Sequence, residues 1–256
     1  MIMIKKGLII FTLFLLWTIL ATACSETKHE DYQRYTNANE HLWQADSIFF
    51  DSEINIVSNM KNGGESFSMQ KLVSSKNMNS EELIKEIYEE ISLNNEKTNF
   101  SAKAQIYYQN EVCYYHDIYN NRLSKTDFEE NKMAGYDSQF QMDFKESDII
   151  DIKSSPNETE FKLKDSSVIE LVKTANIINP ANNINDYAIK DVLFVVKYNN
   201  KNQIEKYNLQ FSLENNNLTT LYHMIFKVNQ VDDVKIVPPD NLDEYKYDKT
   251  VSYGYQ

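Results

Sequence analysis

The chain has 256 residues but only 5 glycines and 4 prolines. That scarcity excludes collagen-like, low-complexity and loop-dominated architectures. Cysteine is equally scarce: Cys24 and Cys113 are the only two, too few for a disulfide-framed scaffold. Basic charge is short as well, with 26 Lys and Arg against 38 Asp and Glu. Such an acidic chain lacks the basic face that nucleic acid requires, and charge does not dock it onto anionic headgroups. The excess reads most simply as a solubility device. His29, His41, His116 and His223 are the only histidines, and none stands at H-x-x-x-H or H-E-x-x-H spacing. G-x-S-x-G, P-loop, Rossmann glycine and D-x-D-x-D-G patterns are absent. No nucleophile–base pair, metal set or cofactor is legible, so the expectation is a non-catalytic protein.

One long apolar run is present, and it lies at the start. Lys5 and Lys6 precede GLIIFTLFLLWTILATA, residues 7–23, which carries no charge. At 17 residues the run sits at the lower limit for spanning a bilayer and near the length of a signal-peptide apolar region. Glu26 follows, with no Lys/Arg cluster to stop transfer, so residues 1–23 are read as a signal peptide and not as a retained anchor. The small residues Ala21, Thr22 and Ala23 before Cys24 resemble the lipobox of bacterial lipoproteins, with Ala21 where that group usually has leucine. The resemblance implies a diacylglyceryl group on the Cys24 sulfur, cleavage before it, and attachment to the extracytoplasmic face of the cell membrane. Two acyl chains anchor stably where one does not, at about 0.8 kcal/mol per buried methylene. The alternative is a cleaved signal with an unmodified cysteine. Removing Lys5 and Lys6 leaves 24 basic against 38 acidic side chains, a formal charge of −14. Cys113 then has no disulfide partner and reads as a small packed residue.

SETKHED, 25–31, is polar; residues 24–31 are expected to be a short tether. From Tyr32 to Ala45 the apolar positions 32, 35, 38, 42 and 45 repeat at helical spacing. Alternation from Ile48 to Ser58, then Asn62-Gly63-Gly64, then Phe67 to Leu72, predicts an antiparallel hairpin. NSEELIKEIYEEISLNN, 79–95, predicts a second helix, with Asn79 as cap, Glu82 as capping-box partner, and Leu83, Ile84, Ile87, Tyr88 and Ile91 as its face. Beyond it the chain reads as strand: 100–109, a turn at Asn110-Glu111, 112–119, 139–145, a break at Pro156-Asn157, and 159–164. SSVIELVKTANIIN, 166–179, predicts a third helix. DVLFVVKY, YNLQFSLE and LTTLYHMIFKV then predict a meander with short polar turns.

A sheet with one apolar face must be covered. The expected class is α+β: a strongly curved antiparallel half-barrel with helices over its concave face, spanning 32–245, and a tail at 246–256. A lipobox, a helix, long hairpins and a closing V-x-I-x-P-P-x-x-L-x-x-Y segment, Val234 to Tyr245, together resemble the LolA/LppX-like lipoproteins, particularly poorly characterised Gram-positive surface lipoproteins. That resemblance implies a sheet enclosing an apolar cavity for a lipid or other amphiphile. Its lining would be Ile106, Phe140, Met142, Phe144, Phe194, Phe211, Met224 and Phe226. The same residues serve equally well as solid core, which is how buried apolar groups usually pack. In that alternative the protein is an envelope interaction scaffold, with the tyrosine-bearing tail KYDKTVSYGYQ as its candidate contact.

Overall fold

The structure, a computed structural model, describes residues 28–61, 66–78, 82–93, 100–127, 142, 144–169 and 187–248. The signal peptide, Cys24, Phe140 and residues 170–179 of the third expected helix lie outside the described residues.

Among the described residues one α-helix, α1 (28–43), leads into twelve strands. These are β1 (Ser47–Met60), β2 (Ser66–Met78), β3 (Glu82–Leu93), β4 (Phe100–Gln109), β5 (Val112–Asp117), β6 (Arg122–Asp127), β7 (Ile149–Ser155), β8 (Glu158–Leu163), β9 (Ala188–Tyr198), β10 (Ile204–Glu214), β11 (Leu218–Val231) and β12 (Lys246–Tyr247). They form one open, curved sheet in the order β12-β6-β5-β4-β3-β2-β1-β11-β10-β9-β8-β7. Every pairing is antiparallel except β12 on β6. The curved antiparallel sheet is therefore as expected, but among the described residues it carries a single helix.

α1 follows its apolar stripe and starts earlier than that stripe does. Residues 28–31, read as tether, form its first turn, with Lys28 Nζ donating to the Ile149 carbonyl at 2.9 Å. The helix expected at 79–95 is instead β3, which runs in register with β2 from Phe67↔Leu93 to Met78↔Glu82 and with β4 from Ile91↔Phe100 to Glu82↔Gln109. The segment satisfies two periods at once. Leu83, Ile84, Ile87 and Tyr88 fit a helical face, yet Leu83, Lys85 and Ile87 also alternate with Ile84, Glu86 and Tyr88. Two long neighbouring strands supply partners for its backbone N–H and C=O groups on both sides, and tertiary pairing overrides local propensity. A second correction concerns 139–145: Met142 and Phe144 belong to no strand, although both are buried.

Turn chemistry was legible. Asn110 and Glu111 both take positive φ, 51° and 63°, as a two-residue hairpin of primed type requires. In β9, Asp191 (φ 55°) sits where the β10 register skips from Gln210 to Ser212. This bulge turns Ile189 as well as Val192 and Phe194 into the core.

After β11 the chain turns at Asp232 and Asp233, both at positive φ, and the closing segment becomes a strap. Val234 is buried, and its N–H donates to Ser47 Oγ at 3.1 Å. The strap ends near one edge of the sheet, where Tyr245 is buried edge-on against Tyr114 at 5.4 Å and β12 pairs with β6. Lys246 and Tyr247, the first residues of the expected tail, thus belong to the sheet.

Candidate functional site

Residues directly opposite in antiparallel strands share a face, so the register defines one inner face across the whole sheet. Over β1 and β8–β11 that face is filled. Tyr35 of α1 meets Phe144 at 5.0 Å, Phe194 at 5.4 Å and Phe161 at 5.6 Å between ring centroids. Phe226 touches Phe50 at 4.6 Å and Tyr207 at 5.4 Å; Phe211 stacks on Tyr222 at 4.8 Å. Of the eight expected lining residues, Met142, Phe144, Phe194, Phe211, Met224 and Phe226 all belong to this main cluster, each at most 5% exposed.

A polar pin runs through the cluster. Asn39 Oδ1 accepts from the Tyr207 hydroxyl and, at 3.1 Å, from Trp43 Nε1. Asn39→Ala leaves two donors without their acceptor, and the expected loss is about 3 kcal/mol. Urea midpoints of Asn39→Ala, Tyr207→Phe and the double variant check this. Coupling between the two sites is the expected result, and simple additivity would contradict it.

Ile106 lies elsewhere. With Leu83, Tyr108 and Cys113 it forms a second buried cluster, flanked by Ile87 and Tyr115, drawn entirely from β3, β4 and β5. Cys113 is packed there, as expected. No apolar residue from outside the sheet joins this cluster among the described residues.

The inner face of this half also carries polar groups. Phe50, Ser75, Lys85, Ile106, Tyr115 and Ser124 stand in one row from β1 to β6. Ser75 is 0%, Ser124 2% and Lys85 3% exposed, and Lys71 is buried two positions away along the same face of β2 from Val73. The hydroxyls of Ser52, Ser75 and Ser124 are buried without a hydrogen-bond partner among the described residues. Burial also raises the Tyr115 phenol above its usual range, with Asp117 adding to the shift. Sequence reasoning missed these groups because it placed Lys85 on the wet side of a helix. The signal was the alternation Lys71-Val73-Ser75, which continues the inward pattern of β2.

The histidines do not converge. His29 Nδ1 stands 3.0 Å from Glu146 Oε2 at the surface, and His41 meets Gln203 at 3.4 Å. His116 on β5 and His223 on β11 are separated by four intervening strands. Among the described residues no group of three His, Cys, Asp or Glu side chains is arranged to hold a metal, and no helix is long and apolar enough to cross a membrane. A polar groove beside α1 is lined by Glu30, Arg34, His41 and Asn202. Arg34 is committed there: it lies 4.0 Å over the Tyr198 ring and donates to the Ser155 and Pro156 carbonyls and to Asn202 Oδ1.

No family model matches the chain, and no curated protein does. Solved structures do resemble it. LprF from Mycobacterium bovis is 7% identical, with a TM-score of 0.41 over 82% of this chain and 96% of that one. A DUF1329 family protein from Desulfovibrio piger is 10% identical, with a TM-score of 0.23 over 80% and 93%. A putative outer membrane lipoprotein-sorting protein domain from Vibrio parahaemolyticus is 9% identical, with a TM-score of 0.17 over 72% and 87%. At such TM-scores the likenesses assign no function.

Proposed function

We propose that this chain is a lipid-anchored extracytoplasmic protein, non-catalytic, that holds an acyl-chain amphiphile against the inner face of β2–β6. The observation that carries the reading is the division of that face. Under α1 it is filled by stacked rings, whereas the second apolar cluster draws on the sheet alone among the described residues. Acyl chains laid on such a face leave water at roughly 25 cal/mol per Å² of apolar area. The concave face is a covered one in this reading, with α1 as the part of the cover that the described residues supply. Anchoring at Cys24 fits the early start of α1. Four residue steps separate Cys24 from Lys28, at most about 14 Å of chain, so the folded part would sit at the bilayer.

Native mass spectrometry tests the binding. Every described element lies between residues 28 and 248, so an unlipidated chain starting at Cys24 retains all of them. A lipid-sized adduct and saturable uptake of a fluorescent fatty acid are expected; a protein that carries no lipid and takes up none rules the reading out. Labelled palmitate should enter the wild-type chain and not the Cys24→Ala variant.

The ring-filled core under α1 favours a second reading, a solid envelope scaffold that binds partners through its surface. Deleting residues 249–256 and comparing captured partners separates it from the first, because amphiphile uptake should not depend on those residues.

A further inference from the structure

We infer that the end of the sheet carrying the β1–β2 and β10–β11 turns rests on the bilayer, with the side chains of Val57, Met60 and Leu221 inserted. This rests on the lipid-anchored reading and says which surface meets the membrane. The direction of α1 fixes the anchored end. Lys28, in its first turn, donates to the Ile149 carbonyl, and Ile149 pairs with Leu163. β8 runs from Glu158, opposite Lys197, to Lys162, opposite Leu193, so this pair lies toward the start of β9. The start of β9 lies beside the β10–β11 turn, since Ala188 pairs with Glu214. Met60 pairs with Leu218 at that same end. From there α1 runs the other way: Arg34 donates to the Pro156 carbonyl in the β7–β8 turn, and His41 meets Gln203 beside the β9–β10 turn. Cys24, four residue steps and at most about 14 Å of chain before Lys28, is therefore tied to the end that holds Met60.

That end exposes apolar surface that the core does not use. Val57 and Leu221 stand directly opposite each other on the outer face, at 40% and 48% exposure, and Met60 is 51% exposed. Apolar side chains scattered over a surface need no explanation, but these three sit together at the end where the anchor leaves the fold. Charge does not carry the contact. Glu214 Oε2 stands 2.8 Å from Lys190 Nζ and 3.7 Å from Lys61 Nζ, so the protein's own carboxylate answers these two cations. The surface that fits is the boundary between headgroups and acyl chains, whatever the headgroup charge. The anchor supplies the affinity and the patch sets the orientation. For a chain already held at the bilayer the second contact is intramolecular, so a small apolar patch is enough to favour one face.

Depth quenching on the lipidated chain in phosphatidylcholine vesicles tests the inference. A thiol-reactive dye is placed on Asn59→Cys, next to Met60, and in a second protein on Lys201→Cys, in the β9–β10 turn. Cys113 is buried and Cys24 carries the lipid, so neither takes the dye. The length of β10, Ile204–Glu214, puts about 33 Å between the two ends. Bromine on the acyl chains should quench the dye at position 59 and leave the dye at position 201 unquenched. Met60→Asp together with Leu221→Asp should reduce quenching at 59 to the level at 201 while the chain stays on the vesicles. Both side chains are exposed, so the fold does not need them, and an unchanged circular dichroism spectrum checks this. Adding anionic phosphatidylglycerol should leave the difference between the two positions in place. Equal quenching at both positions, stronger quenching at 201, or none at either with the chain still bound overturns the inference and leaves the anchored reading standing. So does quenching at 59 that survives the double variant, or that appears only with phosphatidylglycerol. A chain that does not stay on the vesicles at all overturns the anchored reading as well.

Discussion

Tyr35→Ala is expected to lower the stability of the folded chain by about 4 kcal/mol. Tyr35 is 1% exposed and is the side chain through which α1 enters the main core. Its ring meets Phe144, Phe161, Phe194 and Tyr207, and its hydroxyl donates to the Met142 carbonyl. Alanine removes the ring contacts and leaves a cavity that strands on a rigid sheet cannot close. It also leaves a buried carbonyl without its donor. For a chain of this size the loss corresponds to roughly 10 °C in melting temperature. Tyr35→Phe removes the hydroxyl alone and should cost about 1 kcal/mol. Urea denaturation of the three proteins checks the pair. A Tyr35→Ala cost below the Tyr35→Phe cost would show that α1 is not held by the core.

Raising the pH past 10 should unfold the protein over a narrow range. Burial pushes the Tyr198 phenol up to about 12, against the opposing pull of Thr159 and Arg34. Burial also raises Tyr207, and it raises Tyr222 with a contribution from Tyr187. In the unfolded chain these phenols ionise near 10. Below pH 10 both states hold the protons and the full stability is present. Above it the folded state still holds them while the unfolded state releases them, so stability falls as pH rises through the folded values. Three such groups give a slope of about 4 kcal/mol per pH unit, against a total stability on the order of 10 kcal/mol. Absorbance at 295 nm, followed together with far-ultraviolet circular dichroism, should show these phenols ionising in the same step that destroys the sheet. If all 17 tyrosines ionise near pH 10 with the sheet intact, burial of these three phenols is wrong.

How much of this was legible depended on whether a segment satisfied one period or two. The meander β9–β11 alternates so regularly that Phe194, Phe211, Met224 and Phe226 could be assigned inward from sequence, and all four are buried. The α1 stripe at Tyr32, Tyr35, Ala38 and Leu42 was equally clear, and Tyr35, Ala38 and Leu42 are core. Segment 82–93 carried both signals, with a plausible helix cap and acidic filler, and local reasoning chose the helix. Its fate was settled by β2 and β4, whose facing backbone groups need a strand between them. The same error hid Lys85: on a helix it is an ordinary solvated lysine, on β3 it points into the apolar face.

The sequence alone determined that the chain is a β-rich, acidic protein with no disulfide framework, because composition and period-2 alternation are local properties. It also determined the hairpin turns, since Asn110-Glu111 needs no distant partner to adopt its φ angles. Only the tertiary structure decided that the twelve described strands join in one open sheet, that β3 is among them, and that the V-x-I-x-P-P segment runs from the central strand β1 to β6 near one edge. Those outcomes depend on hydrogen bonds and ring contacts between residues far apart in the chain, such as Ser47 with Val234 and Tyr114 with Tyr245. No window of neighbouring residues contains both partners of such a contact.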